Sequence, residues 1–350
     1  MNRVIATSLS VGLMAFSGMA FVASAAEYPP TTLKVVGGGS HNYTFNAVEK
    51  PFWLEQLPKA SNGAIKVEFS GLVESGLKGP EIVRLMRAGA LDVGMGVFAF
   101  VSGDDARFEG IDLPGMALDI ETAKKVSDAY RPVLEKRLLE RHGIKLLATV
   151  PYTAQVFFCR SEIKQLDDLK GLKIRTRGSN MAAFVAKAGG SPITMPFAEV
   201  MTALQTGVVD CAVTGIGSGN AAKWFEVANN LYNVPIDWSI GFYGIGQKRW
   251  DKLDPAVRTL LETETKKMET DLWTETAREN EYALACNTGK GECKIHTQAN
   301  MTATAPNEQD KARLKQIATD VAGEWGKRCG ADCVKKWNAT AGKAIGVAIK

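Results

Sequence analysis

The stretch Asp168–Gly215, DLKGLKIRTRGSNMAAFVAKAGGSPITMPFAEVMTALQTGVVDCAVTG, decides the fold. Lys173–Thr176 reads as a short strand carrying Arg175 near its end, the turn Gly178–Asn180 can cap the helix that follows, and Gly189–Gly190 stops that helix. A second strand, Val208–Val213, repeats the pattern. In open α/β sheets ligands collect beyond the carboxyl ends of strands, so a guanidinium sited there can receive an anion in two bonds. A surface ion pair is the other use of an arginine at such a position.

Outward from this segment, strands and helices alternate. Towards the N-terminus come a strand at Leu33–Gly37 leading into GGGSHNYTF, an amphipathic helix near Asn46–Lys59 and a strand at Ile65–Phe69. A helix at Gly79–Ala88, a strand at Leu91–Met95, a helix at Ala123–Arg141 and a strand at Lys145–Val150 follow. Beyond the opening segment lie a helix at Ala221–Val227, a strand-like run at Ser239–Gln247, a long helix from about Pro255 to Ala285 and a mainly helical end, Asn307–Ala348. The alternation predicts parallel sheets. The long helix would span roughly 45 Å, more than one compact lobe needs, so it is expected to bridge two.

The chain has 350 residues, 45% hydrophobic and 23% charged, which is globular composition with length for two domains. Its formal charge of +4 is interspersed rather than blocked, and indicates neither a nucleic-acid surface nor a polybasic membrane tail. Residues 1–26 read as a signal peptide: Arg3 opens it, Val4–Val22 is mostly apolar, and Ala23-Ser24-Ala25 fits a cleavage site. The mature chain is therefore expected in the periplasm, with no membrane insertion once the signal is cleaved. No cysteine directly follows the apolar run to take a lipid anchor.

Export permits disulfides. Cys286 and Cys293 in CNTGKGEC, and Cys329 and Cys333 in CGADC, are expected as two local bridges; their spacings do not suit a zinc site. Cys159 and Cys211 sit in apolar strand-like runs and read as buried thiols, although adjacent parallel strands would bring them within bonding range. Catalytic signals are weak. His41, His142 and His296 lie far apart without metal-ligand spacing and read as surface or loop residues. Gly217-Ser218-Gly219 lacks the register of a hydrolase elbow, and Gly37–Gly39 lacks the third glycine of a dinucleotide loop and reads as a turn. No zinc enzyme is indicated, and neither a metal nor a cofactor is expected.

From LKVVGGGS through GPEIVRLMRAGALDVGMG to WDKLDPAVRTLLE, and most specifically in DLKGLKIR and AGGSPITMPFAEVMTALQTGVVD, the chain resembles the solute-binding proteins of tripartite ATP-independent periplasmic (TRAP) transporters, dicarboxylate-binding type, also called extracellular solute-binding protein family 7. The resemblance implies an α/β type II periplasmic-binding fold with two discontinuous lobes, a cleft and the long bridging helix, with lobe I at 27–150 plus 241–280 and lobe II at 151–240 plus 281–350. It implies a receptor, not an enzyme, that closes around a small organic acid and delivers it to the small and large membrane permease subunits; a monomer is expected, and the alternatives are a C4-dicarboxylate-binding protein, or a periplasmic sensory receptor or enzyme using the same cleft. Arg175 matches the family arginine that pairs with the substrate carboxylate, as a planar fork suits.

Two departures bear on the substrate. Where many members carry a second arginine, about twenty residues before the first, this chain has Tyr152-Thr153-Ala154-Gln155, and after the VD strand it has the small Ala212-Val213-Thr214-Gly215. The pocket is expected to take one carboxylate with an apolar or aromatic body, with Gln155 and Thr214 as neutral partners. Phe98, Phe158, Trp224 and Trp238 are candidate walls, and closure would bring Phe98 and the Ser40–Tyr43 loop, with His41 and Asn42, onto the ligand. Arg177, where the family often has proline or a small residue, either adds charge to the cleft or pairs outside it, the second being the expectation.

Overall fold

The computed structural model describes residues 28–350, so the expected signal peptide lies outside the described residues. The first sheet is built from β1 (Thr31–Val36), β2 (Ile65–Ser70), β3 (Val93–Val97) and β4 (Ile144–Pro151). The chain then leaves to build a second sheet from β5 (Gln155–Cys159), β6 (Lys173–Thr176), β7 (Ser191–Thr194), β8 (Cys211–Gly215) and β9 (Asn230–Tyr232). It returns to the first with β10 (Ile240–Gly246) and adds β11 (Thr302–Thr304) to the second. The orders are β2-β1-β3-β10-β4 and β11-β9-β5-β8-β6-β7.

Neither sheet is all-parallel. The strand that returns, β10, lies antiparallel to β3 and β4, and β5 lies antiparallel to β8 and β9. Periodicity reveals that a strand exists but not its direction, which is set by where the chain re-enters the sheet. The inner strands β5, β8 and β10 are buried along their whole length and so do not alternate, whereas the edge strand β2, IKVEFS, does. Alternation persists in space: in β5, Phe157 and Cys159 enter one core with Ile174 and Phe184, while Val156 and Phe158 enter another with Ala212 and Trp224.

Crossings at 152–154 and 233–239 connect the sheets and bond to each other, Tyr152 N–H reaching Trp238 O and Ser239 O, both at 3.2 Å; just beyond, Gln155 N–H donates to Asp237 O at 2.8 Å and Ile236 N–H to Gln155 O at 2.9 Å. The long helix, Pro255–Thr288, has 34 residues, about 51 Å at 1.5 Å per residue. Asp254 caps its start by accepting from Ala256 N–H, and Gly289, at φ 67°, ends it. Its first half packs Val257, Leu261 and Leu272 beneath the first sheet, and Ala283 enters a core of the second.

The tail departs from its expected place with the second sheet. Trp325, Trp337 and Ile349 pack with Tyr130, Leu134 and Leu138 of the helix Ile120–His142, which covers the first sheet. Their indole N–H groups donate to Ala106 O and Gly110 O, both at 2.7 Å. His142, read as a surface or loop residue, is buried, its ring 5.6 Å from that of Phe108.

All six cysteines are paired. Cys286–Cys293 and Cys329–Cys333 are bridged, and so are Cys159 and Cys211, read from the sequence as buried thiols. These last two stand directly opposite in the antiparallel β5–β8 ladder with Cα atoms 4.1 Å apart, a narrow pair whose side chains leave on one face.

Candidate functional site

The carboxyl ends of β6 and β8 lie side by side, with Arg175 opposite Ala212. The Arg175 side chain is only 3% exposed. Its Nε–H donates to Met195 O at 3.1 Å and its NH1 to Val213 O at 2.9 Å, so two backbone carbonyls fix the plane of the guanidinium. Among the described residues no carboxylate stands within ion-pair reach of it. Burial, and then the like charge of Arg177, pull its pKa down to about 9, which leaves it protonated at neutral pH. A buried cation without a counter-ion costs free energy that a ligand carboxylate would recover.

Arg177 is handled in the opposite way. The strand ends at Thr176, so the period-two rule that would set Arg177 beside Arg175 lapses. Its NH2 donates to Asp112 at 3.0 Å and Asp237 at 2.7 Å, and its NH1 reaches Gln155 Oε1 at 3.5 Å. It is paired, as expected, rather than free in the cleft, and the pairing is with two buried acids. Burial raises the pKa of Asp237 to about 6, an effect that Arg177 opposes. Sequence reasoning missed both acids. Each stands alone in an apolar context, Ile111-Asp112-Leu113 and Ile236-Asp237-Trp238, and an acid there has to find a distant partner if it is buried.

Gln155 and Thr214 are buried at the same strand ends. The Gln155 amide donates to Thr153 O at 3.0 Å, and Thr153 Oγ1 accepts from Gly217 N–H at 3.0 Å. Gly215 is confined by this cluster: a Cβ there would come within 2.6 Å of Thr153 Oγ1. The long helix reaches the same region, where Asn280 Oδ1 accepts from Ala154 N–H at 3.0 Å and Glu279 stands 2.9 Å from His296.

From the first sheet, the loop after β1 reaches over. The His41 ring stacks on Phe197, two residues past the carbonyl that holds Arg175, with centroids 5.1 Å apart and planes 5° from parallel. Phe197 stacks on Trp224 at 5.1 Å, and Trp224 meets Phe158 edge-on at 5.7 Å. Phe158 and Trp224, two of the expected walls, are thus the buried floor of an aromatic column whose upper members are His41 and Phe197. Phe197 was not foreseen. Asn42 is buried, and its Oδ1 has no partner among the described residues.

The other expected walls lie elsewhere. Phe98 is fully buried between Phe108 and Phe242, with centroids at 6.0 and 4.7 Å, because the helical turn Phe98–Val101 folds it back onto the first sheet. Trp238 is buried in the same core and donates to Ala117 O at 3.2 Å. Nor do the Gly37 and Gly38 amides face outward: Gly37 N–H donates to Ser70 O at 2.9 Å and Gly38 N–H to the buried Glu49 carboxylate at 2.7 Å, to which Tyr243 also donates.

His41 yields a pH prediction. Burial lowers its pKa below 6.5, opposed by Glu74. Below about pH 6.5 the unfolded chain therefore takes a proton that the stacked ring resists, and stability falls with pH across that window. His41→Phe keeps a ring on Phe197 and cannot titrate. Its melting temperature is expected to gain on wild type as pH falls from 7 to 5 in parallel thermal melts, and a constant gap would contradict the buried neutral ring.

A chain that builds one sheet, crosses to build a second and returns to the first has the two-lobed periplasmic-binding-protein fold, with the candidate site at strand ends where the lobes meet. The family model described as bacterial extracellular solute-binding protein, family 7, matches residues 38–323, and the chain belongs to that family. It is 31% identical over 288 residues to the C4-dicarboxylate-binding periplasmic protein DctP of Rhodobacter capsulatus, covering 80% of this chain and 82% of the relative. It is 34% identical over 179 residues to the 2,3-diketo-L-gulonate-binding periplasmic protein YiaO of Escherichia coli, where the match spans 50% of this chain and only 54% of the relative. Among solved structures, DctP6 of Bordetella pertussis, an extracytoplasmic solute receptor binding pyroglutamic acid, superposes with TM-score 0.80 at 25% identity, covering 89% of this chain and 99% of the other.

Proposed function

We propose that this chain is the periplasmic receptor of a TRAP transporter, capturing an organic acid by its carboxylate at Arg175 and delivering it to the small and large permease subunits. It acts as a monomer and as a receptor, not an enzyme. Lobe I is 27–150 with 241–280 and lobe II is 151–240 with 281–350, the tail beyond 325 bracing lobe I. The observation that carries this reading is the contrast between two buried arginines, Arg177 with two carboxylates and Arg175 with none. Arg175 is held by backbone carbonyls with its charge uncompensated, as a preformed anion site requires. Membership of a solute-binding family supports it further.

The ligand is a monocarboxylate with an apolar or aromatic body, such as a 2-oxo or 2-hydroxy acid. Gln155 and Thr214 are neutral, Arg177 is already committed, and an unpaired second carboxylate buried beside them would cost several kcal/mol, on the order of 3–5. His41, Asn42 and Phe197 close over the ligand from above. A C4-dicarboxylate is the second reading, favoured by the similarity to DctP of R. capsulatus.

A thermal-shift screen followed by calorimetry tests both readings. A ligand at a hundredfold excess over its Kd adds about 2.7 kcal/mol of stability, a shift that melts resolve. Phenylglyoxylate or 2-oxoisovalerate is expected to bind more tightly than malate. Malate binding tightest would favour the dicarboxylate reading, and no shift with any organic acid would remove the function itself.

A further inference from the structure

The cluster beside Arg175 holds one more acid than neutrality requires. Asp112 belongs to the loop after the short helix Ala106–Ile111 beside the first sheet, Asp237 to the crossing that returns to it, and Arg177 to the end of β6 in the second. The three side chains are 7%, 2% and 9% exposed. Each acid has a further donor: Ser239 N–H bonds Asp237 Oδ1 at 3.1 Å, and Ile240 N–H bonds Asp112 Oδ2 at 3.4 Å. Burial raises the pKa of both acids, while Arg177 and these bonds favour the carboxylate forms; with both ionised the cluster sums to one negative charge. The cavity beside it is about 20 Å³, space for a single water rather than a ligand group. A ligand group would therefore feel the cluster through its field, not by contact; Arg177 touches Gln155, one of the expected neutral partners of the ligand.

One acid would suffice to neutralise Arg177, and a second buried carboxylate is costly unless its charge has a use. We propose that Asp112 and Asp237 form a charge filter: by committing Arg177 and leaving one negative charge beside Gln155, they reject ligands that bring a second carboxylate. The cluster and Arg175 together sum to zero. A monocarboxylate then leaves one negative charge in the closed cleft and a dicarboxylate leaves two. The filter rests on the reading of Arg175 as the anchor for an organic acid.

Asp112→Asn removes the surplus charge while keeping the side-chain shape and an oxygen acceptor for Arg177. Calorimetry on the mature wild type and this variant, with phenylglyoxylate and malate, reads the effect. The ratio of malate to phenylglyoxylate affinity is expected to rise tenfold or more, with phenylglyoxylate itself changing less than about threefold. Asp237→Asn, which neutralises the other acid, is expected to move the ratio the same way, and it serves if Asp112→Asn fails to fold. An unchanged ratio in folded variants overturns the filter while leaving the anchor standing. If no organic acid of the thermal-shift screen binds wild type, the anchor falls and takes the filter with it.

Discussion

Replacing Arg175 with alanine is expected to lower acid affinity by about 2–5 kcal/mol, roughly 30- to 4,000-fold, while the free protein melts within a few degrees of wild type. The two halves of this result have one cause. In the free protein Arg175 is a buried cation with no carboxylate, held on Met195 O and Val213 O, and its removal relieves a desolvated charge. In the proposed complex it is the counter-ion of the ligand, and its removal would strand a carboxylate in the same dry site. Arg175→Lys should recover only part of the affinity, since a point charge replaces a planar fork. Arg175→Met, close in length and uncharged, should bind no better than alanine and be at least as stable. Calorimetry and thermal melts on the three variants check this. Near wild-type affinity in Arg175→Ala would sink the anchor; a melting point far below wild type in Arg175→Met would make the arginine a structural residue instead.

The second large effect is on stability. The Cys159–Cys211 bridge closes a sequence separation of 52 residues, against 7 and 4 for the other two. The loop-entropy relation assigns it about 4 kcal/mol, against about 2–2.5 kcal/mol for a short loop. Both cysteines are fully buried in the core of the second sheet, so replacing the pair by alanine also removes packed sulfur. Cys159→Ala with Cys211→Ala is therefore expected to destabilise the protein more than loss of either local bridge, as read by denaturant midpoints under oxidising conditions. Peptide mapping without reduction should return three linked pairs. Alkylation of Cys159 or Cys211 in the folded, unreduced protein would refute the central bridge.

Arg175 and Arg177 stand two residues apart with the same side chain, and only their surroundings separate the proposed anchor from a structural ion cluster. The strand, turn and helix around Arg175 were legible in the sequence because they are contiguous with it. The sequence carried the fate of Arg177 poorly, because Asp112 and Asp237 lie 65 and 60 residues away. A lone acid in an apolar run was the available signal; it announces that a partner exists without saying which. Phe98 and Trp238 were misplaced for a related reason: an aromatic side chain favours a core and a cleft wall alike, and its face is set by neighbours that no local pattern names.

By itself the sequence determined what depends on a few consecutive residues. The strand Lys173–Thr176 came out at its expected limits, the long helix began at Pro255 behind its Asp254 cap, and the neighbouring cysteines of the two loops paired, because backbone preference, capping and short-loop closure act over about ten residues or fewer. Only the tertiary structure decided the direction of β5 and β10, the Cys159–Cys211 bridge that this direction makes possible, the packing of the tail on the first lobe, and the partners of Arg177. Each of these is a contact between segments far apart in the chain. Its geometry exists only once both sheets are formed and closed against each other, and the demand of every buried charge and apolar face for a partner then selects one arrangement.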